Sequence, residues 1–599
     1  MKLTGGEIVA EYLIKEGVPY IIGIPGHGCL GLVDAFIGRE ERIKVLQVKQ
    51  EMSAVHMADG YYRITGRPLA VFTSIGPGAV NTAIGAATAF VDSTPVLIIT
   101  GGVHTYMRGV GVLQEIERRY DADFPRVLEP VVKRYWKVDS VRQLPTVLHR
   151  AFNQMLCGRP GPVLIDLPMD VQADSWDVNL PEPVTFRAGG RIPGDPDQIA
   201  RAVELLLGAR RPVILAGGGV IASGACDQLR EVAEFLGAAV ITTMMGKSAF
   251  PEDHPLYAWH AGSKGTTCGN RLAASADVLL AVGCRFADET TSSYKRGVSF
   301  SIPPTELIHV DIDPAEIGKN YPVEVGIAGD AGSVLAAILE GLKDSSAKRD
   351  YERGEYFQEI QALKAQWLKH INRLRNSDKE PVTISRALKE IRAFLDGDAI
   401  VVTSSGNTQA QVMQEFPFYQ PRTHITTGGF STMGFALPAS LGVKLGVPDR
   451  QVVSIIGDGD FMMTIQELST AVQLGLPVVA VVCNNTGWLS IKDLQMAAFG
   501  EERAVATDFL DRAGRLYSPD FKAIAEGFGC YAERVQKAEE IQPALKRVFD
   551  SGKPAVLEIV VNREYPFSGS PAVGWWDVPV PAYLARRERY EREAGEEVL

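Results

Sequence analysis

The chain has 599 residues, is 46% hydrophobic and carries a formal net charge of −11. That length suits three or four domains, and the acidic balance argues against a nucleic-acid-binding protein. Seven scattered cysteines, at 29, 157, 226, 268, 284, 483 and 530, show no CxxC or Cys/His metal spacing and suit mostly buried thiols in a reducing compartment.

The N-terminal stretch "MKLTGGEIVAEYLIKEGV" predicts an amphipathic helix, since the basic start and long apolar core of a signal peptide are missing. No uninterrupted 18-residue apolar span occurs, so a cytoplasmic protein without membrane helices is expected. Strand-like runs then alternate with helical patterns. Examples, in chain order, are "YIIGIPG", "LAVFTSIGPG", "TPVLIITGG", "GPVLIDLP", "PVILAGGG", "DVLLAVG", "LIHVDID", "AIVVTSSGN", "QVVSIIGDG", "LPVVAVVCNN" and "PAVLEIVV". Near-continuous Val/Ile/Leu runs ending in Gly, Asn or Asp mark strands of parallel sheets covered on both faces. Two stretches interrupt the pattern: Pro181–Gln198, read as a linker, and Lys343–Pro381, read as a charged surface helix. The expectation is an α/β protein of three doubly wound parallel-sheet domains, over 1–180, 192–342 and 380–565, with a C-terminal tail over 566–599. A weak similarity of layout between the first and third domains is expected.

The stretch "IIGDGDFMMTIQELSTAVQLGLPVVAVVCNN" sets Asp458 and Asn485 at the carboxyl ends of two strands, where open α/β sheets bind ligands. Gly457 and Gly459 would let the backbone approach a ligand. A helix expected to start near Thr464 would offer N–H groups to an anion. One carboxylate, one amide oxygen, a peptide carbonyl and phosphate oxygens are how Mg²⁺ is usually held. A metal-bridged diphosphate is the functional reading; a tight strand–helix turn is the plain structural one. GDG followed after 24 residues by NN resembles the diphosphate motif of thiamine diphosphate (ThDP) enzymes. That resemblance implies Mg²⁺ on Asp458, the Asn485 side chain and the Gly487 carbonyl, with Gly459 and Asp460 cradling the phosphates. "SSGNT" resembles the other phosphate turn of these enzymes, with Ser405, Gly406, Asn407 and Thr408 as candidates.

"KQEMSAVHMADGYYRITGRP" resembles the glutamate helix of the same enzymes, with Glu51 in the glutamate position. The resemblance implies that Glu51 hydrogen-bonds the cofactor's aminopyrimidine and shuttles its proton. Alone, a Glu at a helix start is usually a dipole-capping residue. "TTGGFSTMGFALPASLG" resembles the segment that props ThDP in its bent form, with Met433 as the prop and Ser431 beside it. A Met is otherwise most often plain core. The family resemblance further implies a homodimer or homotetramer whose site lies at the subunit interface, and a small carbonyl substrate.

Two subfamilies compete. The middle segments "PVILAGGGVIASGA", "GKSAFPEDHPLY", "ADVLLAVGCRFADETT" and "LIHVDIDPAEIGKN" resemble acetohydroxyacid (acetolactate) synthase. That resemblance implies a structural FAD, with Gly217, Gly218, Arg285 and Asp311 as contacts. The pocket segments resemble trihydroxycyclohexanedione hydrolase instead: "PGHG" with His27, "VLQEIE" with Gln114, "VVKRYW" with Lys133, "NNTGWLSIKDLQM", and the tail "GWWDVPVPAYL", whose Trp575–Trp576 pair could cap the pocket. His27 and Gln114 join Glu51 as catalytic candidates. In "RFADE", Glu289 stands where the synthase motif has arginine, an exchange expected to repel a 2-keto acid. The expected activity is ThDP- and Mg²⁺-dependent making or breaking of a C–C bond beside a carbonyl, by a synthase-like carboligase or decarboxylase. The alternatives are a hydrolase of a cyclic 1,2-diketone and, less favoured, a flavin-dependent oxidase of the pyruvate oxidase kind.

Overall fold

The structure, a computed structural model, describes residues 1–116, 124–564 and 578–594. Trp575 and Trp576 lie outside the described residues. Three six-stranded parallel sheets form the framework, which is an α/β architecture as expected. In the first the strands lie in the order Lys44–Gln47, Tyr20–Gly23, Ala70–Thr73, Leu97–Gly102, Val163–Pro168, Arg134–Lys137. In the third the order is His424–Thr426, Ile400–Thr403, Val452–Gly457, Val479–Asn484, Ala555–Val560, Tyr531–Val535. Numbered by chain position, both read 2-1-3-4-6-5. The middle sheet runs Tyr257–His260, Ala239–Thr242, Val213–Ala216, Val278–Val282, Glu306–Asp311, Val325–Ala328, the 3-2-1-4-5-6 order of dinucleotide-binding folds.

The inner strands are buried end to end, as in Val278–Val282 and Val479–Asn484, because helices cover both faces. Thr4 opens the first helix, Gly5–Lys15, with a capping box to Glu7. The stretch read as a linker is partly helical: Asp195 caps a helix over Pro196–Gly208. The charged stretch holds a helix over Glu355–Arg375 with one buried face (Ile360, Trp367, Ile371, Leu374), and Trp367 donates its indole N–H to the Gln414 carbonyl at 3.2 Å.

The chain forms two compact units. One comprises Met1–Gly190, Thr427–Val452 and Met463–Val478; the other comprises Arg191–Thr426, Val453–Met462 and Val479–Leu599. In the first unit the helix Glu51–Thr65 packs on Ala436–Gly446. Gly442 makes the close crossing possible, since a Cβ there would lie 1.9 Å from the Met57 carbonyl oxygen. All seven cysteines are free, and only Cys157 is exposed.

Candidate cofactor site

In the second unit, the strands Ile400–Thr403 and Val452–Gly457 are neighbours at the point where the strand order reverses. Ligands of open α/β sheets bind beyond the carboxyl ends there. After the first strand, Gly406 takes φ +112° and turns the chain into the helix Asn407–Glu415. The Asn407 Nδ2 is buried with no hydrogen-bond partner. After the second strand, Asp458 opens a short helix, Asp458–Met462, and its Oδ2 is likewise buried and unpartnered. Burial pushes the Asp458 carboxyl up to about 6, although the N–H groups of Gly459, Thr486 and Gly487 pull the other way. Those N–H groups bring the GDG and NN segments together. The helix expected near Thr464 begins instead at Glu467; the turn that faces the motif is the short one that starts on Asp458 itself.

The two asparagines divide their roles. Asn484 donates to Glu558 and to Ser518, both at 2.7 Å, and accepts from the Thr486 N–H at 3.2 Å. It is a structural anchor. The Asn485 Oδ1 is buried without a partner. Two orphaned acceptor oxygens suit a cation, and the orphaned Asn407 amide suits a phosphate oxygen. Among the described residues no group of three His, Cys, Asp or Glu side chains could hold a metal. A cation here would therefore draw on amide, peptide and ligand oxygens beside one carboxylate, the donor set that fits Mg²⁺. Thr408 and Asp460 are buried beside this turn; Ser405 is half-buried. A Cβ on Gly459 would lie 2.2 Å from the Trp488 ring, so the indole packs where a side chain would go.

In the first unit the corresponding switch point lies between Tyr20–Gly23 and Ala70–Thr73. The loop after the latter and the first turn of the helix Pro77–Val80 lie against the segments that carry the three catalytic candidates. Ser74 Oγ accepts the Gly28 N–H at 3.1 Å, which fixes the His27 turn. Gly76 lies under Gln114, whose carbonyl oxygen would be 2.0 Å from a Cβ. A Cβ on Gly78 would lie 3.0 Å from Glu51 Oε1. Glu51 begins its helix and is buried; Asn81 Nδ2 donates to its Oε2 at 3.0 Å. His27 is exposed and, among the described residues, has no hydrogen-bond partner, so a satisfied turn histidine is not what the structure shows. Gln114 is exposed in a left-handed conformation, φ +71°. Met433 is half-buried between Ser431 (φ +51°) and Gly434 (φ +79°), in a turn tied down by the Thr432–Thr88 hydroxyl bond at 2.6 Å.

Two positioning groups in this unit were not singled out from sequence. Asn81 sits in "GPGAVN", where the turn signal was legible and the contact was not. Glu467 is fully buried and both its oxygens accept the Lys49 N–H, at 3.1 and 3.3 Å, just ahead of the glutamate helix.

Residues 3–122, 199–338 and 404–559 match the N-terminal, central and C-terminal domains of thiamine pyrophosphate enzymes, the first and last described as TPP binding. The chain is 36% identical to a probable acetolactate synthase large subunit of Methanocaldococcus jannaschii, over 94% of this chain and 92% of that one. It is 36% identical to the acetolactate synthase large subunit of Corynebacterium glutamicum, over 94% and 87%, and 35% identical to the isozyme 3 large subunit of Escherichia coli K12, over 92% of each. The chain belongs to the thiamine pyrophosphate enzymes, in the family of the acetolactate synthase large subunits. It is a ThDP-dependent enzyme acting on C–C bonds.

Two residues singled out from sequence have partners within the protein. Glu289 does not stand as an open anion. It is buried, its Oε1 lies 3.4 Å from His260 Nε2, and its charge acts on the buried Lys264 ammonium. A carboxylate countered from within the protein has little field left to repel a 2-keto acid. Lys133 donates to the Cys157 and Arg159 carbonyls at 2.9 and 2.8 Å, closing the end of the helix Leu144–Leu156.

The FAD candidates do converge at the switch point of the middle sheet, beyond Val213–Ala216, Val278–Val282 and Glu306–Asp311. Two of them are accounted for by protein contacts. A Cβ on Gly217 would lie 2.0 Å from the Gly283 carbonyl oxygen, and Asp311 Oδ1 accepts the Asp313 N–H at 2.9 Å. Gly218 and Arg285 are half-buried and remain the ones a ligand could use. No helix among the described residues is long and apolar enough to cross a membrane.

Proposed function

We propose that the chain is a ThDP- and Mg²⁺-dependent carboligase or decarboxylase of 2-keto acids, of the acetolactate-forming kind named for its relatives. The observation that carries the reading is the pair of buried, unpartnered oxygens on Asp458 and Asn485 at the third sheet's switch point. When bound, ThDP supplies an electron sink for a carbon beside a carbonyl. Asp458, Asn485 and the Gly487 carbonyl would hold the cation. Asn407, with Ser405, Gly406 and Thr408, would hold the phosphate end. Glu51 would exchange a proton with the aminopyrimidine, with Asn81 fixing one carboxylate oxygen and leaving the other to work. Met433 would prop the cofactor's bend, and Gln114 would contact substrate. Glu51 and the metal ligands would come from different copies in a homodimer or a tetramer built from it, in the cytoplasm, with 1–180, 192–342 and 380–565 as the functional domains.

The hydrolase reading, cleavage of a cyclic 1,2-diketone, draws on one observation: His27 is exposed at the first switch point, with no hydrogen-bond partner among the described residues, where an imidazole could activate water. A structural FAD draws only on Gly218, Arg285 and the middle strand order. Incubation with ThDP, Mg²⁺ and a panel of 2-keto acids, aldehydes and cyclic diketones, read by mass spectrometry, separates these. Acetohydroxy acid from pyruvate is the expected product. Ring opening of a diketone without it would replace this reading with the hydrolase, and visible flavin absorbance in the purified protein decides the FAD.

A further inference from the structure

Arg563 follows the strand Ala555–Val560 and reaches back to the loop after Val479–Asn484. Its Nε donates to the Asn485 carbonyl at 3.1 Å and its Nη2 to the Thr486 carbonyl at 2.8 Å. Its Nη1 pairs with Asp508 Oδ1 at 2.7 Å, and Asp508 Oδ2 accepts from Lys492 at 2.8 Å. The segment carrying Asp508 lies alongside the loop: the Trp488 N–H donates to the Thr507 carbonyl at 2.7 Å and the Phe509 N–H to the Thr486 carbonyl at 3.2 Å. The Trp488 ring in turn covers Gly459, next to Asp458. Of three successive carbonyls, at 485, 486 and 487, the guanidinium takes the first two, and none of these bonds reaches the third.

We propose that Arg563 is a positioning residue for the metal loop: its fork holds two carbonyls turned away so that the Gly487 carbonyl and the Asn485 side chain face the cation. This rests on the reading of Asp458, Asn485 and Gly487 as metal ligands. A rigid planar fork matches two adjacent carbonyls and a carboxylate at once; an ammonium cannot. Mg²⁺ demands near-ideal octahedral geometry and Ca²⁺ does not. Loosening the loop should therefore cost Mg²⁺ more than Ca²⁺.

The test strips the full-length protein of metal with a chelator and titrates Mg²⁺ and, separately, Ca²⁺ by calorimetry in the presence of ThDP. Arg563→Gln should lower Mg²⁺ affinity ~10–100-fold, the usual cost of losing an outer-shell partner, and Ca²⁺ affinity by less. Arg563→Lys keeps the charge and loses the fork; it should fall between and carries the test if the glutamine variant does not fold. Mg²⁺ affinity within about twofold of wild type in the folded variants overturns the clamp. So does an equal loss of both ions together with a lower melting temperature, the mark of a merely structural contact. Asp458→Ala serves as the control: if it too keeps its Mg²⁺ affinity, the metal-site reading fails, and not the clamp alone.

Discussion

The first and third sheets share a strand order, 2-1-3-4-6-5, yet the loops at their switch points are finished in opposite ways. At the third sheet the working groups are sunk in protein: Asp458 is 2% exposed and its Oδ2 has no partner. Their neighbours are fully bonded, with Asn484 on Glu558 and Arg563 on the next carbonyls. At the first sheet only Glu51 is buried; His27 and Gln114 stand exposed on loops. A cation and a diphosphate demand fixed, desolvated groups, whereas a substrate must be able to enter and leave. Under the proposed function, the duplicated topology would carry a rigid binding half and an open reacting half.

The comparison can be broken first by its two acids. Asp458→Ala should abolish Mg²⁺-dependent ThDP retention, seen as loss of the calorimetric signal. Glu51→Gln should keep that signal and lower kcat ~10²–10⁴-fold, the range for a positioned acid–base group. Reversal of those two phenotypes would undo the assignment of binding to one half and chemistry to the other. A smaller effect is expected at Asn81, which donates to Glu51. Asn81→Ala should lower kcat up to ~10²-fold through misplacement, with ThDP affinity unchanged, and Asn81→Asp should not rescue it. Unchanged kcat would show that Glu51 needs no such support.

The middle region sharpens the contrast. Glu289→Arg, if Glu289 were an open gate, would improve saturation with 2-keto acids. The structure predicts otherwise: a new cation beside Lys264 and His260 should destabilise the fold by roughly 3 kcal/mol or more and leave KM no better. Denaturant unfolding and initial rates with pyruvate check both parts. A pH-dependent contrast is expected at Glu415, at the far end of the helix that starts with Asn407. Burial pushes its carboxyl from the ordinary 4.5 to about 8, only partly offset by the Ser385 hydroxyl at 2.7 Å. Between those pH values the folded protein keeps a proton that the unfolded chain has released, so stability is full below about 4.5 and falls as pH rises through about 8. Glu415→Gln should flatten the fall in melting temperature across that window; an unchanged slope would remove Glu415 as its source.

Much of this was legible because buried strands write themselves in continuous apolar runs. Each of the eleven runs read as strands holds an inner strand of a sheet. The six edge strands and the inner strand Ala239–Thr242 are not among those runs; "KVLQ" at Lys44–Gln47, with both ends exposed, lacks the continuous apolar signal. The GDG and NN motifs are likewise local, and so are the segments around Glu51 and Met433. What could not be read are pairings made at a distance: Trp488 over Gly459, Arg563 on the 485 and 486 carbonyls, and His260 against Glu289. The Glu289 expectation left out these partners, because a charge's effect depends on its counter-charge and not on its identity alone.

The most direct measurement of the central claim, that the two halves serve one cofactor and come from two copies, is complementation between Glu51→Gln and Asp458→Ala. The two inactive variants are co-expressed with different tags, and the mixed dimer is isolated by sequential affinity steps. If Glu51 of one copy works on the cofactor held by the other copy's Asp458, one site in the mixed dimer carries both lesions and the other carries neither, and about half of wild-type activity returns. A mixed dimer of confirmed composition that stays as inactive as its parents would contradict the account.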